Sequence, residues 1–557
     1  MTAPNPNSTP GAGPQSEWIG RRGVALLDLT WGGQTYRVAT EAITVSSDDG
    51  DLPYEPGMNW PDYTEEIVTD GGQSASLEVY LPGDVDVAKR RQRGHDLLNA
   101  TAELSLVTLR GHDHAAVVEQ TWEGRLRLIA GQVVSPRYAH PEKAANWLSF
   151  GLERYAWNDQ ALLLETPGVV DATTWPSHNT AHTGKIYPLP IGTPGNYRAS
   201  TSKAQVLAPG SPAYIVIDNA GTAEKLLIAG EAVDAGTVTV IDEAGAEQSF
   251  SVIWEVDGLG RLTATCDITT PGAIDATDTT FYVAFDGGGG LVNPFGTGAL
   301  ELAGDVVRWA FGRTSLLVDH ARFAVQAQYL NRIKLATYID DPEATPWDWL
   351  ADNVLGLLPW VSILQGPEGL YPVVTDPEAT TVDAVAVTEG PDFARVLPMS
   401  SDGSRTDVLH EFVLEFAQDV ADGSFKRRRI LTADWDSSDP EQTTSALVEI
   451  SRRRYTEPDA PAQASSQTTD VLYDASSADV VLGDLSRFHG FIPEATAYEA
   501  DLSYGHIRPG TLLSVTDSSA SLTARLGYVS GRSLTPTSWL FTVRFDEDPG
   551  RDPHAST

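Results

Sequence analysis

The chain is poor in the residues that most often carry chemistry. It has one cysteine, Cys266, in 557 residues. A single thiol excludes an internal disulfide framework and any paired-cysteine zinc or cluster site. Cations are scarce: 38 Lys and Arg stand against 76 Asp and Glu, a formal charge of −38. A field of that sign repels phosphate backbones and anionic lipid, which argues against sequence-specific nucleic acid binding and polybasic membrane attachment. No apolar run reaches the length needed to cross a bilayer as a helix, so stable membrane insertion is not expected. The start, Met1 to Ser16, is small, polar and rich in Pro and Gly, with neither a basic opening nor an apolar stretch. It reads as a flexible tail rather than an export signal and implies synthesis in a cytoplasm.

What is present is β-sheet patterning. Apolar and polar residues alternate through Ser74–Leu81, Glu103–Leu109, Glu123–Val134 and Trp147–Leu152, with Leu77, Val79 and Leu81 on one face. The expected class is mostly β (α+β), with several β-barrel or sandwich-like domains and a small helical part. After a flexible tail over 1–20, residues 21–165 read as a first β-domain. Residues 166–212 read as an extended connection, because Pro188 and Pro190 exclude a central strand. Strands over Tyr214–Asp218, Thr237–Asp242, Phe250–Val256, Leu262–Cys266 and Phe281–Phe285 make 213–290 an inserted β-domain, ending in a linker at Gly287–Gly290. Residues 291–395 read as a mixed α/β domain. Its helices fall at Leu302–Phe311, Ala321–Asn331 and Trp347–Leu358, the last N-capped by Thr345 with Pro346 in its first turn. Residues 396–545 read as a second β-domain carrying one helix near Ser476–Arg487, and 546–557 as a polar tail.

Reactive constellations are mainly absent from the sequence. GxSxG, HExxH and GxGxxG do not occur, and Gly184-Lys185 lacks the rest of a phosphate loop. His112-Asp113-His114 has metal-binding residue types but no third ligand, and fits a solvated hairpin tip as well. Asp434, Asp436 and Asp439 have partial calcium-loop spacing, but Asp439 takes the place of the turn glycine and Ser445 that of the bidentate Glu. No catalytic, cofactor-binding or metal residue is therefore assigned, no cofactor is expected, and the chain is not expected to be an enzyme. The basic clusters Lys89–Arg93, Lys426–Arg429 and Arg452–Arg454 suit either pairing with acidic neighbouring subunits or local salt bridges. Trp347, Trp349 and Trp360 have the spacing of core packing rather than of a sugar-stacking face.

The order of the segments carries a resemblance. Tyr187–Gly195 (YPLPIGTPG), the stretch Pro346–Val374 with its helix, Leu-Pro-Trp stop and Gly366–Pro372 turn, and the series Val408–Phe416, Gly423–Arg429, Thr469–Arg487, Ala497–Tyr504, Ile507–Asp517, Tyr528–Ser533 and Trp539–Phe545 resemble the central baseplate or tail-tip hub of long-tailed bacteriophages. His410-Glu411 stands where that family often has Asn. The resemblance implies two barrel-like β-domains per subunit and a homotrimeric ring that adapts a sixfold tail tube to threefold symmetry. It further implies contacts with a distal tail or tube protein, the tape-measure protein and tip or fibre proteins, and a location in the virion at the tail tip. Alternatives from other classes are a tail glycosidase or depolymerase, a glycan-binding host-recognition protein, and a hexameric distal tail ring protein.

Overall fold

A computed structural model describes residues 22–47, 50–67, 72–83, 85–109, 125–153, 168–194, 210–286, 288–313, 317–339, 346–366, 369–375, 382–401, 403–404, 407–418, 424–456 and 463–545. Among them are thirty strands and six α-helices, so the chain is mostly β with a small helical part. The alternation read from the sequence sets the faces. In strand Gly72–Tyr80 and just beyond it, Leu77, Val79 and Leu81 are buried, and the strand pairs antiparallel with Trp147–Glu153.

One sixteen-stranded sheet is assembled from both ends of the chain. Nine strands lie between Arg22 and Glu153, and seven lie between Val385 and Phe545. The two sets meet where Asp62–Glu66 pairs with Leu522–Leu534, in the register Glu66↔Gly531, Glu65↔Arg532 and Thr64↔Ser533. They also share one apolar core, in which Leu27, Leu77 and Leu104 pack with Tyr498, Val529 and Trp539.

A second core is α/β. Helices Ala303–Gly312, His320–Leu330, Pro346–Asn353 and Ala475–His489 pack with the hairpin Val361–Gly366/Gly369–Val374 and with a four-stranded sheet containing Glu411–Gln418 and Phe425–Thr432. The expected boundaries therefore shift. Strands Val385–Thr388 and Phe393–Arg395, expected in the mixed domain, belong to the large sheet. The segments of strands Glu411–Gln418 and Phe425–Thr432 and helices Ala446–Tyr455 and Ala475–His489, expected in the second β-domain, contribute to the α/β core instead. Contiguous sequence does not delimit these bodies because strand pairing joins segments hundreds of residues apart. The helix expected over Trp347–Leu358 ends at Asn353, with a 3₁₀ turn at Leu355–Leu357 before Pro359. A helix not expected, Ala446–Tyr455, is capped by the Ser445 side chain accepting from the Val448 N–H.

The third body is a closed six-stranded barrel over Ser211–Asp286 with its own core of Ile215, Leu226, Ile228, Val238, Val283 and Phe285. All five strands read from sequence in this block are present. The sixth, Ala223–Ala229, is written in residues that favour helices and is held as a strand by its neighbours on both sides.

Within the extended connection, Leu189–Ile191 is a short strand of a two-stranded sheet: all three residues are buried and pair with Thr337–Ile339. Pro190 has no N–H to offer a neighbouring strand, and its carbonyl accepts from the Leu291 N–H. Of the glycine run, Gly288–Gly290 lie within the described residues and form a packed crossing rather than a loose linker. A Cβ on Gly290 would lie 2.2 Å from the Pro190 carbonyl oxygen, and one on Gly289 would lie 2.2 Å from the Ala299 Cβ. The Gly290 N–H donates to the Gly192 carbonyl at 2.6 Å, and the Asp234 N–H donates to the Gly290 carbonyl at 2.8 Å. Glycine is needed here so that backbones can touch. The tails expected over 1–20 and 546–557 and the cap expected at Thr345 lie outside the described residues.

Gly290→Ala separates the two readings of this run. In a flexible linker the change would be neutral or slightly stabilising through the unfolded chain. At a packed crossing it forces backbone displacement and is expected to cost about 1–3 kcal/mol, measured as a lowered midpoint in urea unfolding.

Candidate assembly site

The seam between the two ends of the chain has a charged centre. Arg532 and Glu65 are both fully buried, with Nε donating to the Glu65 carboxylate at 2.6 Å. Gln73 donates to the other carboxylate oxygen at 2.7 Å and the Tyr63 hydroxyl to the first at 3.0 Å. Arg532 also donates to the carbonyls of Gly505 and Ile507 and lies over the Trp539 ring. Burial alone would raise the Glu65 carboxyl. Arg532 and Arg508 beside it, helped by Gln73, outweigh that and hold it below the usual carboxylate range.

Beside the seam lies a groove of about 380 Å³. Its walls come from the sheet (Ile67, Tyr528, Arg544), the hairpin (Trp360) and the helical body (Arg487, Phe488). Arg544 lies 5.7 Å over the Phe488 ring. The groove is apolar and cationic. No carboxylate or histidine is among its lining residues, so it lacks the paired acids that glycoside cleavage requires.

The buried carboxylates serve structure. Asp517 accepts from Arg395, Tyr498, Ser519 and the Ala520 N–H. Burial would raise it, and these donors hold it well below the usual range. Asp257 accepts from Arg261 and the Tyr187 hydroxyl, with the same net direction. His410 and Ser451 are buried partners at 3.2 Å, which suggests a nucleophile and its base. The polarity is wrong for that role: the Ser451 hydroxyl donates to the Gly490 carbonyl, leaving its oxygen to accept from the ring. The pair instead ties helix Ala446–Tyr455 to strand Glu411–Gln418.

The other residues singled out in the sequence fall as follows. His112, Asp113 and His114 lie outside the described residues. Asp434 pairs with Arg452, while Asp436 and Asp439 accept from Ser438 and Glu441 N–H groups in an exposed loop. Ser445 is the helix cap already described. Among the described residues no group of three candidate ligands comes together.

Much of the basic clusters is used locally. Arg90 lies over Trp31 and Tyr36, Arg91 over Tyr138, and Lys89 pairs with Asp86. Arg427 donates to the Tyr473 carbonyl and Arg429 to that of Pro440. Trp349 and Trp360 are core residues, and the Trp347 side chain lies outside the described residues. Cys266 is inside the barrel, where burial pushes its thiol up to about 12. Sequence reading missed the Glu65–Arg532 pair, whose members are 467 positions apart and give no local signal. It also missed an apolar hairpin on the barrel, where Trp254, Val256 and Leu259 were legible as large residues beside a turn.

No protein-family model and no curated protein sequence matches the chain. Solved structures that resemble it include tail and virion proteins. A tail protein from Neisseria meningitidis aligns with a TM-score of 0.35 at 11% identity, covering 95% of this chain and 99% of that chain. The 43 kDa tail protein of prophage MuSo2 from Shewanella oneidensis gives 0.37 at 9% identity, with coverage of 95% and 99%. A chain of the native gene transfer agent virion gives 0.32 at 13% identity, covering 72% of this chain and 93% of that chain. Among the described residues no helix is long and apolar enough to cross a membrane.

Arg532→Met leaves Glu65 buried without its partner and is expected to destabilise the fold by about 3–5 kcal/mol, read from urea unfolding at pH 7. Because the folded carboxyl is lowered, its stabilisation is complete above the unfolded value, about 4.3, and fades as pH falls through the folded value. Glu65→Gln should therefore show a shallower loss of melting temperature on acidification below that pH than the wild-type chain.

Proposed function

We propose that the chain is a structural protein of a phage tail tip, forming a homotrimeric hub ring that closes the distal tail tube. The observation that carries this reading is the joining of two β-units, one from each end of the chain, edge to edge in one sheet. Three copies then present six β-units around a ring, a number that matches a sixfold tube above while the ring itself has threefold symmetry. The order of segments that resembles phage hubs supports the same reading. Its partners are then the distal tail or tube protein, the tape-measure protein and tip or fibre proteins, with the chain located in the virion at the tail tip.

The role is mechanical and not enzymatic. A continuous sheet clamped by a buried ion pair is a stiff wall, and the chain's excess of acids would keep passing DNA from adhering to it. The reading of a tail glycosidase finds no support at the groove, whose charged side chains are arginines.

Native mass and negative-stain averaging of the purified protein test the proposal. Three copies of the 59.9 kDa chain, about 180 kDa, in a ring with a central hole are expected. Six copies would replace the hub by a hexameric distal ring. Release of reducing sugar from host wall or capsule by the purified chain would overturn the non-enzymatic assignment.

A further inference from the structure

Twelve large apolar side chains are exposed among the described residues, and five of them fall in one ten-residue stretch of the barrel. These are Ile253, Trp254, Val256, Leu259 and Leu262. Strand Glu247–Val256 changes partner midway: up to Ser251 it pairs with Thr237–Ile241, and from Val252 onward it pairs only with Leu262–Asp267. The register Trp254↔Ala264 and Val256↔Leu262 puts Trp254, Val256 and Leu262 on one face. That face continues the barrel interior, since Ala264 and Cys266 are fully buried in the core. Past the barrel rim it is uncovered, with Trp254 and Val256 each 60% exposed and Leu259 59%. Together they form an apolar ledge of several hundred Å², the scale at which exposed apolar surface marks a contact site.

The ledge is rigid. At its turn, Asp257 accepts from the Leu259 and Arg261 N–H groups at 2.9 Å and from the buried Tyr187 hydroxyl. The Gly258 N–H donates to the Thr174 carbonyl at 2.8 Å. A pinned hairpin loses little freedom on binding. Its outer backbone edge, from Ile253 to Val256, has no described strand beside it.

Charge and hydrogen bonding identify the occupant. Residues 211–286 hold thirteen acids against two cations, a formal charge of −11. Both cations are committed: Lys225 pairs with Glu255 at 2.9 Å and Arg261 with Asp257 at 2.8 Å. A sugar would need free polar groups beside the tryptophan, and here Glu255, Lys225, Asp257 and Arg261 satisfy one another. A second copy of the barrel would bring like charge.

We infer that this ledge docks an extended segment of a different protein, apolar at alternate positions and flanked by Lys or Arg, added along the Ile253–Val256 edge. The inference does not depend on the copy number of the hub, and its test is separate from that of the ring. Leu259→p-benzoylphenylalanine in the full chain, photolysed in the producing cell, is expected to yield an adduct to one other protein. The linked peptide should carry Lys or Arg within a few residues of the adduct. Trp254→Ser with Leu262→Ser should cut the yield roughly fivefold or more with the melting temperature unchanged. Where that pair unfolds the barrel, Val256→Thr, which keeps strand propensity, should cut it in the same direction. Absence of an adduct, adducts to a second copy of this chain or to a glycan, a linked peptide without cations, or yields indifferent to the ledge substitutions would each overturn the inference.

Discussion

The sheet that joins the two ends of the chain is centred on one buried ion pair. Glu65 and Arg532 are separated by almost the whole chain, yet each lies at 0% exposure beside the other. Two charges out of water are costly unless they meet in good geometry with most of their remaining hydrogen bonds filled; here Gln73, Tyr63 and two carbonyls fill all but the Arg532 Nη2. The pair also defines register. A one-residue slip of Leu522–Leu534 against Asp62–Glu66 would turn Arg532 to the other face and leave Glu65 alone in the core. The two ends of the chain therefore cannot complete their sheet independently. Whatever lies between Glu153 and Val385 must be laid out so that they can meet.

The seam alone does not dictate how the intervening barrel is attached, since a freely hinged barrel would also be compatible with it. Here the barrel enters and leaves through close backbone contacts. Gly288–Gly290 run against Pro190 and Gly192, and Tyr187 reaches from the incoming segment to Asp257 at the far hairpin. The same few residues thus fix both the entry to the barrel and the position of its exposed ledge.

The legible part of the sequence was whatever depends on near neighbours. Alternation located Gly72–Tyr80 and five of the six barrel strands, and a Pro at a first turn located Pro346–Asn353. Helix Ala446–Tyr455 had its signals in view: Ser445 before the run and three arginines in the last turn, where cations favour a helix end. Read as a charge cluster, those arginines concealed it. Ala223–Ala229 was illegible for another reason, since Ala, Glu, Lys and Leu favour helix and only closure of the barrel makes them strand. The seam was illegible in principle, because nothing local marks Glu65 among 76 acids. Trp254 and the other apolar residues of the ledge were visible, but their exposure follows from the change of strand partner at Ser251, a tertiary fact.

Charge decides how such a chain can assemble. Cations are half as numerous as acids, and many are spent inside the subunit: Arg532 at the seam, Arg395 on Asp517, Arg332 on Asp484, Lys225 and Arg261 on the barrel. The surface that remains is strongly acidic. At physiological ionic strength repulsion between such surfaces is screened beyond about 8 Å, so any contact made by this surface must be held by forces that act at short range. Backbone pairing and apolar burial act at that range and carry no charge. Arg93 and Arg428 are exposed members of the basic clusters and so the natural cationic exceptions. An acidic chain of this kind gains specificity from its own repulsion: only interfaces with close-fitting neutral surface, or partners bringing their own cations, overcome it.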